Sequence, residues 1–403
     1  HIDYQWQLHY KQKQVKDNLD RIAKVDYPEI SPILGSEKQY FYRNKLEYSF
    51  SNRKWLIDGA PAGTHDEEAV KGFGYHLPGL FDRVIDIEKC WLQQEPSNAI
   101  RLFIKDFTLE HKLSYYNVRA HEGLMRNVVI RCNGKGEFMV IVVINEENDL
   151  IRNVMIPEMQ KRFPEIISIM LVINNKFNDI ITDLPFENVY GEECLVETMK
   201  APREGYDDLR FRVGPVSFFQ TNVYQGERLY RAAFDLADVK GDELMYDLYT
   251  GTGTIALYFA RFVKNVVGVE YVEEAIADAK INSEFNNINN VKFYAGDMAK
   301  VFTDEFIEAN GRPDLVVTDP PRAGMHEKVV EQLLKIQPKK IVYISCNPAT
   351  QARDLQLLDS LYEVKAVQPV DMFPHTHHVE NIVLLELKVE NYGRDVTPVA
   401  SSN

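Results

Sequence analysis

Two side chains late in the chain carry the strongest chemical signal. Cys346 lies in Ile344-Ser345-Cys346-Asn347-Pro348, directly behind Lys339-Lys340-Ile341-Val342-Tyr343, which reads as a short buried strand. Open α/β sheets place their chemistry on turns at the carboxyl edge of such strands. A cysteine considered alone is more often a small buried hydrophobe, so its neighbours must decide. Glu380 stands just before another buried-strand pattern, Ile382 to Leu387, and reaches the same edge if the sheet closes in the usual way. A thiolate is a nucleophile and a carboxylate a general base. Together they can add to an electron-poor carbon and later take a proton from the adduct.

A ligand pocket is written upstream. Asp247-Leu248-Tyr249-Thr250-Gly251-Thr252-Gly253-Thr254 follows a strand, and its glycines let backbone approach a ligand closely. Glu270 closes the next strand, where an acid can accept from both ribose hydroxyls, and Asp297 closes the third, where it can accept from an adenine amine. Both acids could instead be helix caps. The loop lacks a Walker lysine and the longer G-x-G-x-x-G fingerprint, so S-adenosylmethionine fits better than a triphosphate or a nicotinamide. Asp319-Pro320-Pro321-Arg322-Ala323-Gly324 forms a stiff wall whose Asp can reach cofactor or substrate. In Ser217-Phe218-Phe219-Gln220-Thr221-Asn222 the rings could be core, and Gln220 could read a base by donating and accepting together. Phe373-Pro374-His375-Thr376-His377-His378-Val379-Glu380 holds three histidines without a carboxylate or cysteine at the usual helical ligand spacing, and reads as a loop rather than a metal site.

The elements that must position these residues change character near residue 215. From about Val213 strands and helices alternate: strands 243–248, 265–269, 291–295 and 315–318, with helices 255–262, 272–286 and 327–335. This rhythm predicts a doubly wound, mostly parallel α/β sheet over 216–403. Residues 1–215 read as an α+β domain. It has an amphipathic helix over Tyr4 to Ile22 with Trp6, Tyr10, Val15, Leu19 and Ile22 as its apolar face, strands at Glu47 to Phe50 and Gly72 to Tyr75 around a Gly59 to Thr64 loop, and a hairpin joining Asn127–Cys132 to Phe138–Asn145. A helix over Ile151 to Phe163 and a strand over Ser168 to Asn174 follow. Lys11, Lys13, Lys16 and Arg21 lie on the first helix and Arg43, Lys45, Arg53 and Lys54 beyond it, either as a solvated face or as a phosphate-contacting surface. The polar tail from Tyr392 is expected to be loosely ordered.

Composition bounds the class. Hydrophobic residues at 45% and charged residues at 26% describe a water-soluble globular chain. Four dispersed cysteines, Cys90, Cys132, Cys194 and Cys346, point to reduced thiols and a cytoplasmic setting. No apolar run is long enough for a membrane span. A net charge of −14 excludes indiscriminate nucleic-acid binding but not a local basic groove. No obligate protein partner is expected, and the chain is read as a monomer. Because it opens on His1 rather than Met, a longer natural protein is expected.

A cofactor pocket, a cysteine and a carboxylate in one crevice suit a particular problem. Carbon 5 of uracil is a poor nucleophile, but thiolate addition at carbon 6 makes it enolate-like, able to take a methyl from a sulfonium. A base must then remove the carbon 5 proton so that the thiolate leaves. The DLYTGTG, DPPRAG, SCNPAT and HVEN stretches, with FFQTN ahead of them, occur in an order that resembles the RNA (uracil-5-)-methyltransferase family, particularly its 23S ribosomal RNA members. The resemblance implies a Rossmann-like class I S-adenosylmethionine-dependent methyltransferase domain preceded by an α+β RNA-binding domain. It implies Cys346 as nucleophile and Glu380 as base, with Gln220, Tyr249, Gly251, Thr254, Glu270, Asp297 and Asp319 lining the cofactor and target-base pockets. Thr250 departs from the cysteine often found there. A transfer RNA substrate, or an RNA-binding or ribosome-assembly factor with vestigial catalysis, are the alternatives. The thiolate needs a field that lowers its pKa, for which Arg322 or bound RNA are the candidates. Many members also carry an amino-terminal OB-like domain and a [4Fe–4S] segment. Cys90 matches the fourth cluster ligand, and the other three would lie upstream of His1.

Overall fold

The structure, a computed structural model, describes residues 2–55 and 70–388. The expected Gly59 to Thr64 loop and the tail from Tyr392 lie outside the described residues. The chain divides into two compact units: one comprises His1–Gln39, Met199–Phe211 and Tyr224–Asn403, the other Tyr40–Thr198 and Arg212–Val223.

Helix α1 (Tyr4–Asn18) opens the first unit, capped by Asp3, whose side chain accepts from Gln5 N–H; a π-helical turn, Leu19–Ala23, continues it. Its inner face differs from the expected one. Trp6 and Tyr10 are 57% and 55% exposed, whereas Val15, Leu19 and Ala23 enter the sheet's core and Lys11 is only 3% exposed. The expected basic face is therefore broken up. Lys11 is buried against Asp371, and Lys13 and Lys16 pair one turn on with Asp17 and Asp20 at 2.6 and 2.5 Å. This packing also explains why the first 39 residues belong with the α/β sheet, where the sequence reading set a single boundary near 215.

The second unit is α+β. Its strands are β1 (Lys45–Ser51), β2 (Gly72–Leu77), β3 (Leu80–Ile85), β4 (Met125–Cys132), β5 (Phe138–Ile144), β6 (Ile166–Ile173) and β7 (Glu187–Gly191). They form one sheet in the order β3-β2-β1-β4-β5-β6-β7, antiparallel except at β5–β6. Helices α2 (Ser97–Glu110) and α3 (Ile156–Arg162) supply Ile100, Ile104 and Met159 to the core on one face, with Val128, Ile130, Val140 and Val142. Val129, Ile141 and Val143 alternate onto the other face, so the two central strands are buried on both sides. Two short strands, β8 (Leu195–Met199) and β9 (Leu209–Val213), carry the chain between the units.

In the first unit the alternation returns. After α4 (Val223–Ala237) come β10 (Leu244–Leu248), α5 (Thr254–Ala260), β11 (Asn265–Glu270), α6 (Glu273–Phe285), β12 (Val291–Ala295), α7 (Met298–Val301), α8 (Asp304–Asn310), β13 (Leu315–Thr318) and α9 (Glu327–Ile336). The chain ends with β14 (Lys340–Ser345), α10 (Pro348–Leu358), β15 (Tyr362–Val370) and β16 (Glu380–Leu387). The sheet order is β12-β11-β10-β13-β14-β16-β15. The first five strands are parallel, and β16 inserts antiparallel beside β14. Near-continuous apolar runs such as Leu315–Thr318 are buried because helices cover both faces. No helix among the described residues is long and apolar enough to cross a membrane.

Candidate active site

The register of β16 brings the two chemical residues together. Ser345 pairs with Asn381 across the β14–β16 ladder, so Cys346, the next residue after β14, lies beside Glu380, the first residue of β16. Cys346 then leads into α10, where Asn347 is the N-cap accepting from Ala349 N–H at 3.2 Å and Pro348 takes the first helical position. Asn347 Nδ2 and Thr350 Oγ1 donate to the carbonyl of Arg322 at 3.0 and 3.2 Å. That ties the Asp319-Pro320-Pro321-Arg322 wall to the cysteine turn. The wall is also held at Met325, whose N–H donates to Asp354 Oδ2 at 2.9 Å, an oxygen that also accepts from Tyr343 Oη at 2.7 Å.

The crevice is short of positive charge. Burial pushes the Cys346 thiol up to about 11, aided by the carboxyls of Glu380 and Asp319, with Arg322 pulling the other way. Burial raises Glu380 to about 8; Asp319 adds to the rise and Arg322 opposes it. Asp319 itself is raised to about 7 by burial. Asp319 thus acts on both Cys346 and Glu380, and a bound cation would lower all three. Arg322 is the expected local cation, and burial and the carboxyls outweigh it.

The ligand loop follows β10. Asp247 is fully buried and is raised to about 7, chiefly by burial, despite Thr250 Oγ1 and Ala256 N–H donating to its Oδ2 at 2.5 and 2.9 Å. Its Oδ1 has no hydrogen-bond partner, and a buried lone acceptor is costly unless something donates to it. Tyr249, Gly251 and Gly253 all adopt left-handed backbone, at φ 67°, 55° and 80°. A Cβ on Gly251 would project into open space, whereas one on Gly253 would press on Ala279 and Phe293 at 3.0 Å. Thr254 begins α5 beyond them. A concave loop beside an unpaired buried carboxylate oxygen suits a cationic, amine-bearing nucleoside such as S-adenosylmethionine.

Glu270 ends β11 with its carboxylate turned to backbone: Oε2 accepts from Gly251 N–H at 3.1 Å, and Oε1 from Tyr271 and Val272 N–H at 2.7 and 3.0 Å. It therefore holds the ligand loop as well as the start of α6. Asp297 is the N-cap of α7, accepting from Ala299 N–H at 3.1 Å, which is the capping alternative raised from sequence.

Tyr249, Gly251, Thr254, Glu270, Asp297, Asp319, Cys346 and Glu380 thus gather at one edge of one sheet. Gln220 and Cys90 lie in the other unit. Gln220 is held there by Asn44 Nδ2, which donates to its carbonyl at 3.0 Å. Cys90 is buried, its sulfur 3.3 Å from Tyr75 Oη. Among the described residues no group of three or more His, Cys, Asp or Glu could hold a metal ion. A [4Fe–4S] cluster uses four thiolates, and among the described residues Cys90 is not grouped with further ligands. Sequence reasoning assigned no role to Gln351, Asn381, Asp354 or Asp371; Asn381 falls inside the HVEN stretch, and the other three lie outside the quoted motifs.

The tRNA (Uracil-5-)-methyltransferase family profile matches residues 193–388. A chain from Bacteroides thetaiotaomicron described as an uncharacterized RNA methyltransferase is 53% identical over 390 residues, 96% of this chain and 84% of that one. One of the same description from Porphyromonas gingivalis is 48% identical over 97% of this chain and 84% of its own length. Among solved structures, the Pyrococcus abyssi tRNA (uracil-54, C5)-methyltransferase in complex with S-adenosyl-L-homocysteine is similar at a TM-score of 0.73 and 31% identity, covering 96% of this chain and 84% of that one. The chain belongs to the RNA (uracil-5-)-methyltransferase family.

Proposed function

We propose that the chain methylates carbon 5 of a specific uridine in structured RNA, with Cys346 as nucleophile and Glu380 as base. The observation that carries this reading is the β14–β16 register, which sets the two residues side by side with Asp319 acting on both. Cys346 releases its thiol proton to solvent water and forms a bond from sulfur to carbon 6, as the carbon 5–carbon 6 π pair moves into the carbon 4–carbon 5 bond and the carbon 4 carbonyl π pair onto its oxygen. S-adenosylmethionine, when bound, supplies a positive charge and the methyl that carbon 5 of the adduct takes up. Glu380, as carboxylate, accepts the carbon 5 proton; the double bond re-forms and sulfur departs as thiolate. Arg322 favours the ionised state of both residues. Asp247 and the Gly251 loop are assigned to the cofactor, with Tyr249, Thr254, Glu270 and Asp297 around it. Asp319 is assigned to both pockets, and Gln220 to the target base. The uridine must leave its stack, because neither thiol nor methyl reaches a stacked base.

The α+β unit, Tyr40–Thr198 with Arg212–Val223, is assigned the remaining RNA contacts, and the unit that carries the parallel sheet the catalysis. Free thiols suit a cytoplasmic enzyme. The motif resemblance favours 23S ribosomal RNA, and the likeness to a tRNA (uracil-54, C5)-methyltransferase favours transfer RNA as the second reading. Mapping 5-methyluridine in both RNAs from a strain lacking the gene separates them. Loss of one modification in 23S RNA, restored by the purified protein, supports the first. Loss in transfer RNA supports the second, and an unchanged map contradicts both.

A further inference from the structure

A buried ion pair lies one residue from the rung at which the β15–β16 hairpin delivers Glu380. Val370 pairs with Glu380 at the loop end of the β15–β16 ladder, and Asp371 follows Val370. Asp371 is fully buried and Lys11 almost so. Lys11 Nζ donates to Asp371 Oδ1 at 2.5 Å and to the Phe373 carbonyl at 3.0 Å. Tyr4 Oη donates to Asp371 Oδ2 at 2.8 Å, and Asp371 N–H donates to the Leu34 carbonyl at 2.9 Å. One turn before Lys11, Gln7 Oε1 accepts from His375 N–H at 2.9 Å, and Gln7 Nε2 lies 3.2 Å from His375 Nδ1. His375 has φ 65°, a left-handed backbone that a residue other than glycine adopts when its surroundings hold it. Helix α1 thus grips the 371–379 loop at three successive points, Asp371, Phe373 and His375, and the loop's end is Glu380.

An ion pair buried this deeply is a poor source of net stability compared with apolar packing. Its geometry serves a different end. The α1 contacts hold the loop that ends at Glu380, whose carboxyl acts on the Cys346 thiol.

We infer that Lys11, through Asp371 and the 371–379 loop, is a positioning residue for Glu380, so that α1 controls the proton-removal step while leaving thiol addition and cofactor binding intact. The inference rests on the roles given to Cys346 and Glu380 above.

The test uses the full chain, S-adenosylmethionine and an unmodified transcript that the wild type methylates, with covalent protein–RNA adduct measured on denaturing gels. Lys11→Met, with the wild type's affinity for S-adenosylhomocysteine, is expected to turn over about tenfold or more slowly, in line with the cost of misplacing a catalytic group. A methylated adduct on ordinary uridine should build up as turnover falls. Lys11→Arg should restore release. Gln7→Ala, which leaves both charges in place, should show a smaller build-up. The Lys11→Met, Asp371→Asn pair removes both charges, so it can stand in if the single variant does not fold, and it should also accumulate adduct. A merely structural role predicts lower melting temperature and proportionate loss of addition and release without adduct, and that result overturns the inference. Glu380→Gln and a 5-fluorouridine transcript run alongside. If neither traps adduct, the roles of Cys346 and Glu380 fail and this inference falls with them. If both do and the Lys11 and Gln7 variants release like wild type, only the positioning role fails.

Discussion

Gln351 and Asn381 exchange hydrogen bonds inside the first unit: Asn381 Nδ2 donates to Gln351 Oε1 at 2.7 Å, and Gln351 Nε2 donates to the Asn381 carbonyl at 3.1 Å. Gln351 Nε2 also reaches the Tyr343 carbonyl at 3.0 Å. One amide lies in the helix that follows Cys346, the other directly after Glu380, and both are buried. Their exchange locks the nucleophile's helix to the base's strand. Gln351→Leu strands Asn381 Nδ2 without its acceptor, so we expect a loss of about 1–3 kcal/mol in denaturant melts. We also expect a larger fall in kcat than in affinity for S-adenosylhomocysteine. Equal falls in both would place the pair outside the alignment of the reacting groups.

Gly251 tests the cofactor assignment. Its left-handed backbone is one that asparagine tolerates, and a side chain there would enter open space. Gly251→Asn should keep its melting temperature and weaken S-adenosylhomocysteine binding by about tenfold or more, the scale expected when a side chain displaces a closely approaching ligand. Calorimetric titration measures it, and unchanged affinity would remove this loop from the cofactor site.

Cys346 should be a slow nucleophile in the ligand-free chain. With its thiol pushed up to about 11, alkylation by iodoacetamide, followed at the Cys346 peptide by mass spectrometry, should rise about tenfold per pH unit from 7 to 10. Adding sinefungin, a cationic cofactor analogue, should raise the rate at pH 7. A plateau already reached below pH 8 would contradict the electrostatics described for the crevice.

Glu380 links this crevice to stability. Its carboxyl is raised from 4.5 to about 8 in the folded chain, so between those values the folded state holds a proton that the unfolded state has released. Stability contributed by this residue is fully present below pH 4.5, falls as pH rises, and is lost above about 8, a swing on the order of a few kcal/mol. Glu380→Gln removes the titration. The variant's melting temperature relative to wild type should therefore improve from pH 5 to about pH 8 and level off above it. A constant difference would mean that the carboxyl is not held in its neutral form.

The parallel core was legible in the sequence because its strands are short apolar runs ending in polar residues. Val291–Ala295 and Leu315–Thr318 fall where the runs predict. The cysteine turn and the ligand loop were legible because their chemistry is local. Side-by-side placement of Cys346 and Glu380 was only conditional, since it depends on β16 entering antiparallel between β14 and β15, and β15 itself went unread. The inner face of α1 was misread for a physical reason. Periodicity marks apolar positions, but Lys11 is turned inward by a partner 360 positions away, while Trp6 and Tyr10 face out. Asp297 shows the opposite limit: its place at a strand end was legible, and the structure displays the cap that the same place also allows.

The central claim is a covalent bond between Cys346 and the target uracil. RNA carrying 5-fluorouridine at the target, incubated with the protein and S-adenosylmethionine, puts fluorine where Glu380 must find a proton, so release is blocked after methyl transfer. The account predicts a stable protein–RNA adduct whose digest yields a Cys346 peptide bearing a methylated 5-fluorouridine nucleotide, and no adduct with Cys346→Ala. An RNA methylated in full by wild type as ordinary uridine, yet giving no adduct on any cysteine in the fluorinated form, would contradict it.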